Sequence, residues 1–213
     1  LENAEKVEVE GKIVALISPH AGYPYSGQVA AHAYKLLEGK VYDSVVVIAP
    51  SHYALFKGVS LYDRGGFRTP LGIVPIDVEL SKKMMEKRKE IQFIPEAHAE
   101  EHSLEVQIPF LQVVLKSFKL IPIVMEPYWS WETCQYLASA IAESVKGKKV
   151  LLSFHPLAWT SVCAEQMKSL EQNQANFEKL NTIALGLSVD SISCKNAWAK
   201  NLGITKTQLL ADF

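Results

Sequence analysis

The chain has 213 residues, with 22 basic and 23 acidic side chains for a formal charge of −1. Hydrophobic residues make up 48% and charged residues 21%, which is globular composition and excludes a disordered chain. So balanced a charge gives no long-range pull toward phosphate backbones or anionic lipid, and no basic run interleaved with aromatics occurs, so no nucleic-acid partner is expected.

The first element expected is a buried strand at KIVALIS (12–18), rich in β-branched residues and ended by Pro19. A loop rich in Gly, Pro and Ser follows. Residues 28–37 then read as a helix with Val29, Ala33, Leu36 and Leu37 on one face and Gly39 at its stop. DSVVVIAP (43–50) is a second buried strand. Shorter strands are expected at 57–63 and 66–75 around the turn residues Arg64 and Gly65, then a charged surface helix at 78–89 and a strand near 91–94. Residues 103–116 carry an apolar stripe (Leu104, Ile108, Leu111, Leu115) that predicts a helix, with Pro109 kinking or restarting it and Ser103 as its cap. KLIPIVM is the next strand, 131–145 the next helix and KKVLLSF (148–154) the next strand; the stretch 163–213 is more polar and leans to helix.

Buried strands alternating with helices imply an α/β fold in a single domain, 1–213. Its central sheet should be largely parallel or mixed and covered by helices on both faces. The longest apolar runs fall far short of the roughly 20 residues that span a bilayer, and the opening LENAEKVEVEGK lacks the apolar core of a secretory signal. Three widely spaced cysteines (Cys134, Cys163, Cys194) do not form a disulfide framework. Reduced thiols in a cytoplasmic protein are expected, with no membrane partner.

Chemistry in such sheets collects in loops at the carboxyl ends of strands, which singles out the segments after Ser18, Ala49 and Phe154. In the first, His20 follows a strand and is flanked by small residues, with Tyr23 and Tyr25 to supply a hydroxyl and an aromatic wall around a ligand. In the second, His52 follows Pro50 in the same way, and two imidazoles at the same end of neighbouring strands can converge on one ion. A further loop holds Glu101 and His102 ahead of a helix, available for proton transfer or for orienting a ligand; the alternative is a solvated acidic loop with a capping motif. His98 and His32 read as surface or packing histidines. No nucleophile elbow, phosphate-binding glycine loop or dinucleotide fingerprint occurs, so no nucleotide cofactor is expected.

Four motifs occur together: PHAGYPYSG (19–27), APSH (49–52), FRTPLG (67–72) and EHSLEVQIPFLQ (101–112). Their order and spacing resemble the Memo family, also described as the AmmeMemoRadiSam system protein B group. The resemblance is strong over 11–152, weak over 153–193 and moderate over 194–213. That family is similar in fold to class III extradiol dioxygenases of the LigB type, non-haem Fe(II) enzymes with two histidines and a glutamate. The resemblance implies that His20 and His52 are metal ligands and that Cys194, ahead of AKNLGITKTQLL, is the third. It also implies that Glu101 and His102 are residues of the cleft. One departure stands out: where members carry a Ser-Ser-Asp-x-Ser-His type motif, this chain reads Ser153-Phe154-His155-Pro156-Leu157. His155 stands in for the motif histidine and joins Glu101 and His102 as a catalytic candidate, but the aspartate is missing.

Two imidazoles and a thiolate form a softer set than two imidazoles and a carboxylate, favouring copper, zinc or reduced iron. The implied cofactor is therefore Fe(II) or Cu, with Zn as the redox-silent variant, in a dioxygenase-like oxidoreductase acting on a small molecule. The alternatives are a scaffold that binds a peptide or partner in the same cleft, and a protein that holds copper or iron.

Overall fold

The computed structural model describes residues 1–5, 7, 9, 13, 15–128, 130–145, 150–154, 161–173, 175, 185–188, 192–206 and 208–211. In chain order the first elements are β1 (Ala15–Ile17), α1 (Tyr23–Lys35), β2 (Ser44–Pro50), β3 (Val59–Leu61), β4 (Gly66–Thr69), β5 (Gly72–Pro75), α2 (Val78–Lys87) and β6 (Ile91–Gln92). Then come α3 (Pro95–Ala99), α4 (His102–Glu105), α5 (Ile108–Val114), β7 (Lys119–Met125), α6 (Trp131–Ser144) and β8 (Val150–Phe154). The described elements end with α7 (Ser161–Gln172), β9 (Leu185–Ser188), α8 (Ile192–Leu202) and β10 (Gln208–Ala211). Contacts divide the chain into two compact units, Gly39–Ser153 and the pair of segments Leu1–Glu38 with Phe154–Phe213.

The Gly39–Ser153 unit is built on a mixed sheet in the order β8-β2-β7-β3-β6. Val45, Val46 and Val47 of β2 and Leu120, Ile121 and Ile123 of β7 are fully buried, as expected of central strands covered on both faces. These two strands run parallel, with Ser44 opposite Lys119 and Pro50 opposite Met125, and β8 pairs with β2 in the same sense. β3 lies antiparallel to β7 and parallel to β6. Hence β2, β7 and β8 all point their carboxyl ends to one edge. α4 packs on β2 and β7, while α2 packs on α6, β6 and β7. β4 and β5 form a separate antiparallel hairpin turned at Pro70 and Leu71, where Gly72 takes a positive φ of 122°.

A buried polar tie joins α2 to this sheet. Asp77 caps α2 by accepting from Leu80 N at 3.1 Å, and its other oxygen accepts from the Ser44 hydroxyl at the start of β2. Its own N–H donates to Leu120 O at 2.8 Å, so one acidic residue fixes the helix start against both central strands.

In the other unit, Ile17, Met167, Trp198 and Ile204 form a buried core flanked by Ala164, Leu170, Ala199 and Leu202. β9 and β10 pair in parallel, with Leu185 opposite Gln208, and α8 packs on β10. Glu171 accepts from the N–H groups of Thr205 and Lys206 at 2.8 and 2.9 Å, tying the end of α7 to the turn after α8.

Three local expectations change. α1 begins at Tyr23, five residues early, because Pro24 fits the first helical turn, where its missing N–H costs nothing. Tyr23 and Tyr25 thus stand on the first turn of a helix instead of in a loop, and both are exposed. The helix expected from 103 is interrupted at Val106 and Gln107 and restarts as α5 with Pro109 in its opening turn, the restart expected of that proline, while the first piece begins one residue early at His102. The short α3 was not expected at all. Among the described residues, no helix is long and apolar enough to cross a membrane.

Candidate metal centre

The sheet ladder continues one residue past β2, where Ser51 N donates to Met125 O at 3.1 Å, and His52 is then the first residue clear of the carboxyl edge. Ser51 closes a tight local turn, its hydroxyl donating to Ala54 O at 2.8 Å and accepting from Ala54 N at 3.3 Å. Two buried carboxylates, from distant parts of the chain, pin the two ends of the 51–58 loop.

At the start of the loop, Glu101 grips His52 twice. Its Oε2 accepts from the His52 backbone N–H at 2.6 Å, and its Oε1 lies 2.8 Å from the His52 ring Nδ1. Oε1 also accepts from Ser103 N at 3.0 Å, which makes Glu101 the N-cap of α4. The Ser103 hydroxyl, expected to be the cap, instead donates to Pro50 O at 3.1 Å and ties α4 to the end of β2. At the far end of the loop, Glu126 accepts from Gly58 N at 3.0 Å and from the Thr133 hydroxyl at 2.5 Å. Gly58 is required there: its φ is +94°, and a Cβ would lie 2.7 Å from Glu90 O. Sequence reasoning missed Glu126, although an acidic residue directly after the apolar run LIPIVM was a usable signal.

The Glu101 side chain is only 3% exposed. Burial alone would raise its pKa, but hydrogen bonds from the N–H groups of Ser103 and His52 and from the His52 ring outweigh it. They hold the carboxyl below the ordinary glutamate value. An ionised carboxylate only accepts, so Nδ1 of His52 carries a proton, and in the neutral ring the lone pair is then on Nε2. This is the arrangement that prepares an imidazole for a metal, a carboxylate fixing its tautomer and its orientation from behind.

His102 follows Glu101 directly. Its ring lies 4.8 Å from that of His52 (centroid to centroid, 36° between planes), and its Nδ1 is 3.6 Å from Glu101 Oε1. One ligand atom from each of His52, Glu101 and His102 lies within 4.8 Å of the others. Tyr53 stands edge-on to His102 at 6.0 Å, forming a rim.

His98 on α3 is a packing residue, as expected. Its Nε2 is 3.0 Å from the Ser60 hydroxyl, and it lies in an aromatic cluster with Tyr62 and Phe93. Burial pushes its pKa down to about 4, against smaller upward effects of Ser60 and Glu101, so it is neutral at pH 7.

Of the residues singled out from sequence, the structure therefore brings His52, Glu101 and His102 together within one unit. His20 is half-buried between β1 and α1 in the other unit, where Tyr23 and Tyr25 open α1 and Cys194 is half-buried in the first turn of α8. His155 lies outside the described residues.

Comparison with known proteins adds two findings. The family model described as "Memo-like protein" matches residues 2–154, and that described as "AhpC/TSA family" matches 132–213. The Memo match thus ends where the SFHPL departure begins, and Cys194 falls beyond it. The chain is 31% identical over 216 residues to a MEMO1 family protein of Nitrosopumilus maritimus, covering 93% of this chain and 76% of that relative. It is 39% identical over 138 residues to one of Methanothermobacter thermautotrophicus, covering 63% of this chain and 49% of the relative. With one of Sulfolobus acidocaldarius it shares 46% identity over 112 residues, 51% of this chain and 39% of the relative. Against the last two, the chain spans about half the relative's length or less.

Proposed function

The chain belongs to the Memo-like protein family, and from that premise we propose that it holds a non-haem metal ion, iron(II) or copper, through Nε2 of His52. The observation that carries this reading is the grip of Glu101 on His52, which sets the lone pair on the nitrogen away from the carboxylate. The residues present fit a metal: an imidazole with a fixed tautomer, a buried negative charge beside it and a second imidazole close by. His20 and Cys194 enter the proposal as further ligands from the family resemblance alone. Bound there, iron(II) or copper would supply one-electron chemistry and dioxygen activation toward a small substrate. The protein's own part is to orient His52 and to place the Glu101 charge beside it.

Metal analysis of protein purified without chelating resin, or reconstituted with Fe(II) or Cu, tests this. We expect about one ion per chain, falling roughly tenfold or more in His52→Ala. A wild-type chain that takes up neither metal, or a His52→Ala variant that keeps its full complement, would overturn the reading. Oxygen consumption by the Fe(II) form with a panel of catechols then tests whether the bound ion does oxidative chemistry.

A further inference from the structure

We infer that His102, to which neither the motifs nor the resemblance gives a metal, is a second imidazole ligand, and that His52 and His102 with Glu101 form a cation site contained within the Gly39–Ser153 unit. The inference rests on the proposed metal-holding role of His52 and changes its ligand set.

The geometry of the two rings carries it. A ring nitrogen bound to a borderline divalent ion sits about 2.1 Å from it, which places the ring centroid roughly 3.2 Å away. Two such rings meeting the ion at 90–110° have centroids roughly 4.5 to 5.2 Å apart. The observed separation of His52 and His102 is 4.8 Å. A buried anion lies beside both rings, with Glu101 Oε1 2.8 Å from one and 3.6 Å from the other.

Glu101 is the positioning group and counter-charge in this site, not a third ligand. Its two oxygens already accept from His52 N, His52 Nδ1 and Ser103 N. These bonds take three of its roughly four lone-pair sites and aim both oxygens at His52 and the start of α4. The ligands are thus two neutral imidazoles beside a fixed carboxylate, with the remaining positions left to water or to an incoming anionic ligand. Imidazole nitrogen selects zinc(II) and copper(II) over magnesium and calcium, which prefer oxygen. Both histidine side chains keep a little over a third of their surface exposed, so an ion can enter from solvent.

Zinc(II) titration of the full metal-free chain, followed by competition with a chromophoric chelator, tests the site. Four variants are compared with the wild type: His52→Gln, His102→Gln, His20→Gln and Cys194→Ser. His52→Gln and His102→Gln should each weaken zinc binding about tenfold or more, and the other two should stay within about threefold. Binding by His102→Gln within about threefold of wild type overturns the inference. If His52→Gln and Cys194→Ser are then the weak binders, the His20, His52 and Cys194 set survives; if His52→Gln also binds normally, both fall. Far-UV circular dichroism checks that His102→Gln is folded. Should it not be, ring nitrogen resonances of the wild type decide: zinc must shift both His52 and His102, and a shift of His52 alone contradicts the site.

Discussion

Replacing Glu101 by alanine should cost about 3 kcal/mol of stability, and at this chain length lower the melting temperature by roughly 6 to 12 °C. The carboxylate accepts from two backbone N–H groups and one ring N–H while almost fully buried, and alanine leaves all three without that acceptor. Charge-assisted bonds of this kind are worth more than neutral ones, and their loss is made worse by the donors stranded behind. Glu101→Gln should fall between the two, since it keeps one oxygen but turns an NH₂ toward a donor. The stabilisation also depends on ionisation. Because the folded-state pKa of Glu101 lies below the ordinary value, the contribution is complete above the unfolded value of 4.5 and is lost as pH falls through the folded one. Thermal melts at pH 7 that place Glu101→Ala within about 1 °C of wild type would show that the grip on His52 contributes nothing.

A second large effect arises at higher pH, from His98. The unfolded chain takes up a proton on this histidine near pH 6.5, while the folded chain resists until about pH 4 because the charged ring would be buried among Tyr62, Phe93 and Ser60. Stability should therefore decline as pH drops from 6.5 to 4 and gain no further loss from this group below that. At about 1.4 kcal/mol per pH unit, the decline amounts to roughly 3 kcal/mol. His98→Gln retains a hydrogen-bonding partner for the Ser60 hydroxyl and removes the titration. Its urea midpoint should change far less than wild type between pH 7 and 4.5. Parallel pH curves for the two proteins would mean that His98 is protonated in place without penalty.

Much of the sheet was legible because its residues leave few alternatives. Runs such as SVVVIAP and KLIPIVM can only be satisfied between two covering layers, and they became the parallel pair β2 and β7. His52 was legible for the related reason that a histidine straight after such a strand must emerge at the carboxyl edge. Its partnership with Glu101 was not. The two are 49 residues apart, and their register is set by how α4 seats on β2, which no local pattern encodes. Capping rules chose Ser103 for its short hydroxyl, but the cap falls two residues sooner, at Glu101, and the hydroxyl turns to Pro50. Similarly, Tyr23, Pro24 and Tyr25 read as loop because proline and glycine punctuate the segment, although proline is at home in a first turn. The strand expected at 57–63 is present as β3, but its antiparallel pairing with β7 has no local signature, and the five-residue α3 was too short to impose a period of its own. Beyond Phe154 the expected motif was absent, and the AhpC/TSA match over 132–213 covers the stretch where the Memo pattern gave out.

The central claim is that Glu101 holds the Nδ1 proton of His52 and thereby turns Nε2 toward a cation. Long-range ¹H–¹⁵N correlation spectra of protein labelled at histidine nitrogen report ring protonation and metal contact together. The account predicts a protonated Nδ1 on His52 in the metal-free protein and a shift of Nε2 on adding zinc(II), both lost in Glu101→Ala. A His52 ring protonated at Nε2, or one whose Nδ1 moves with the metal while Nε2 stays, would contradict it.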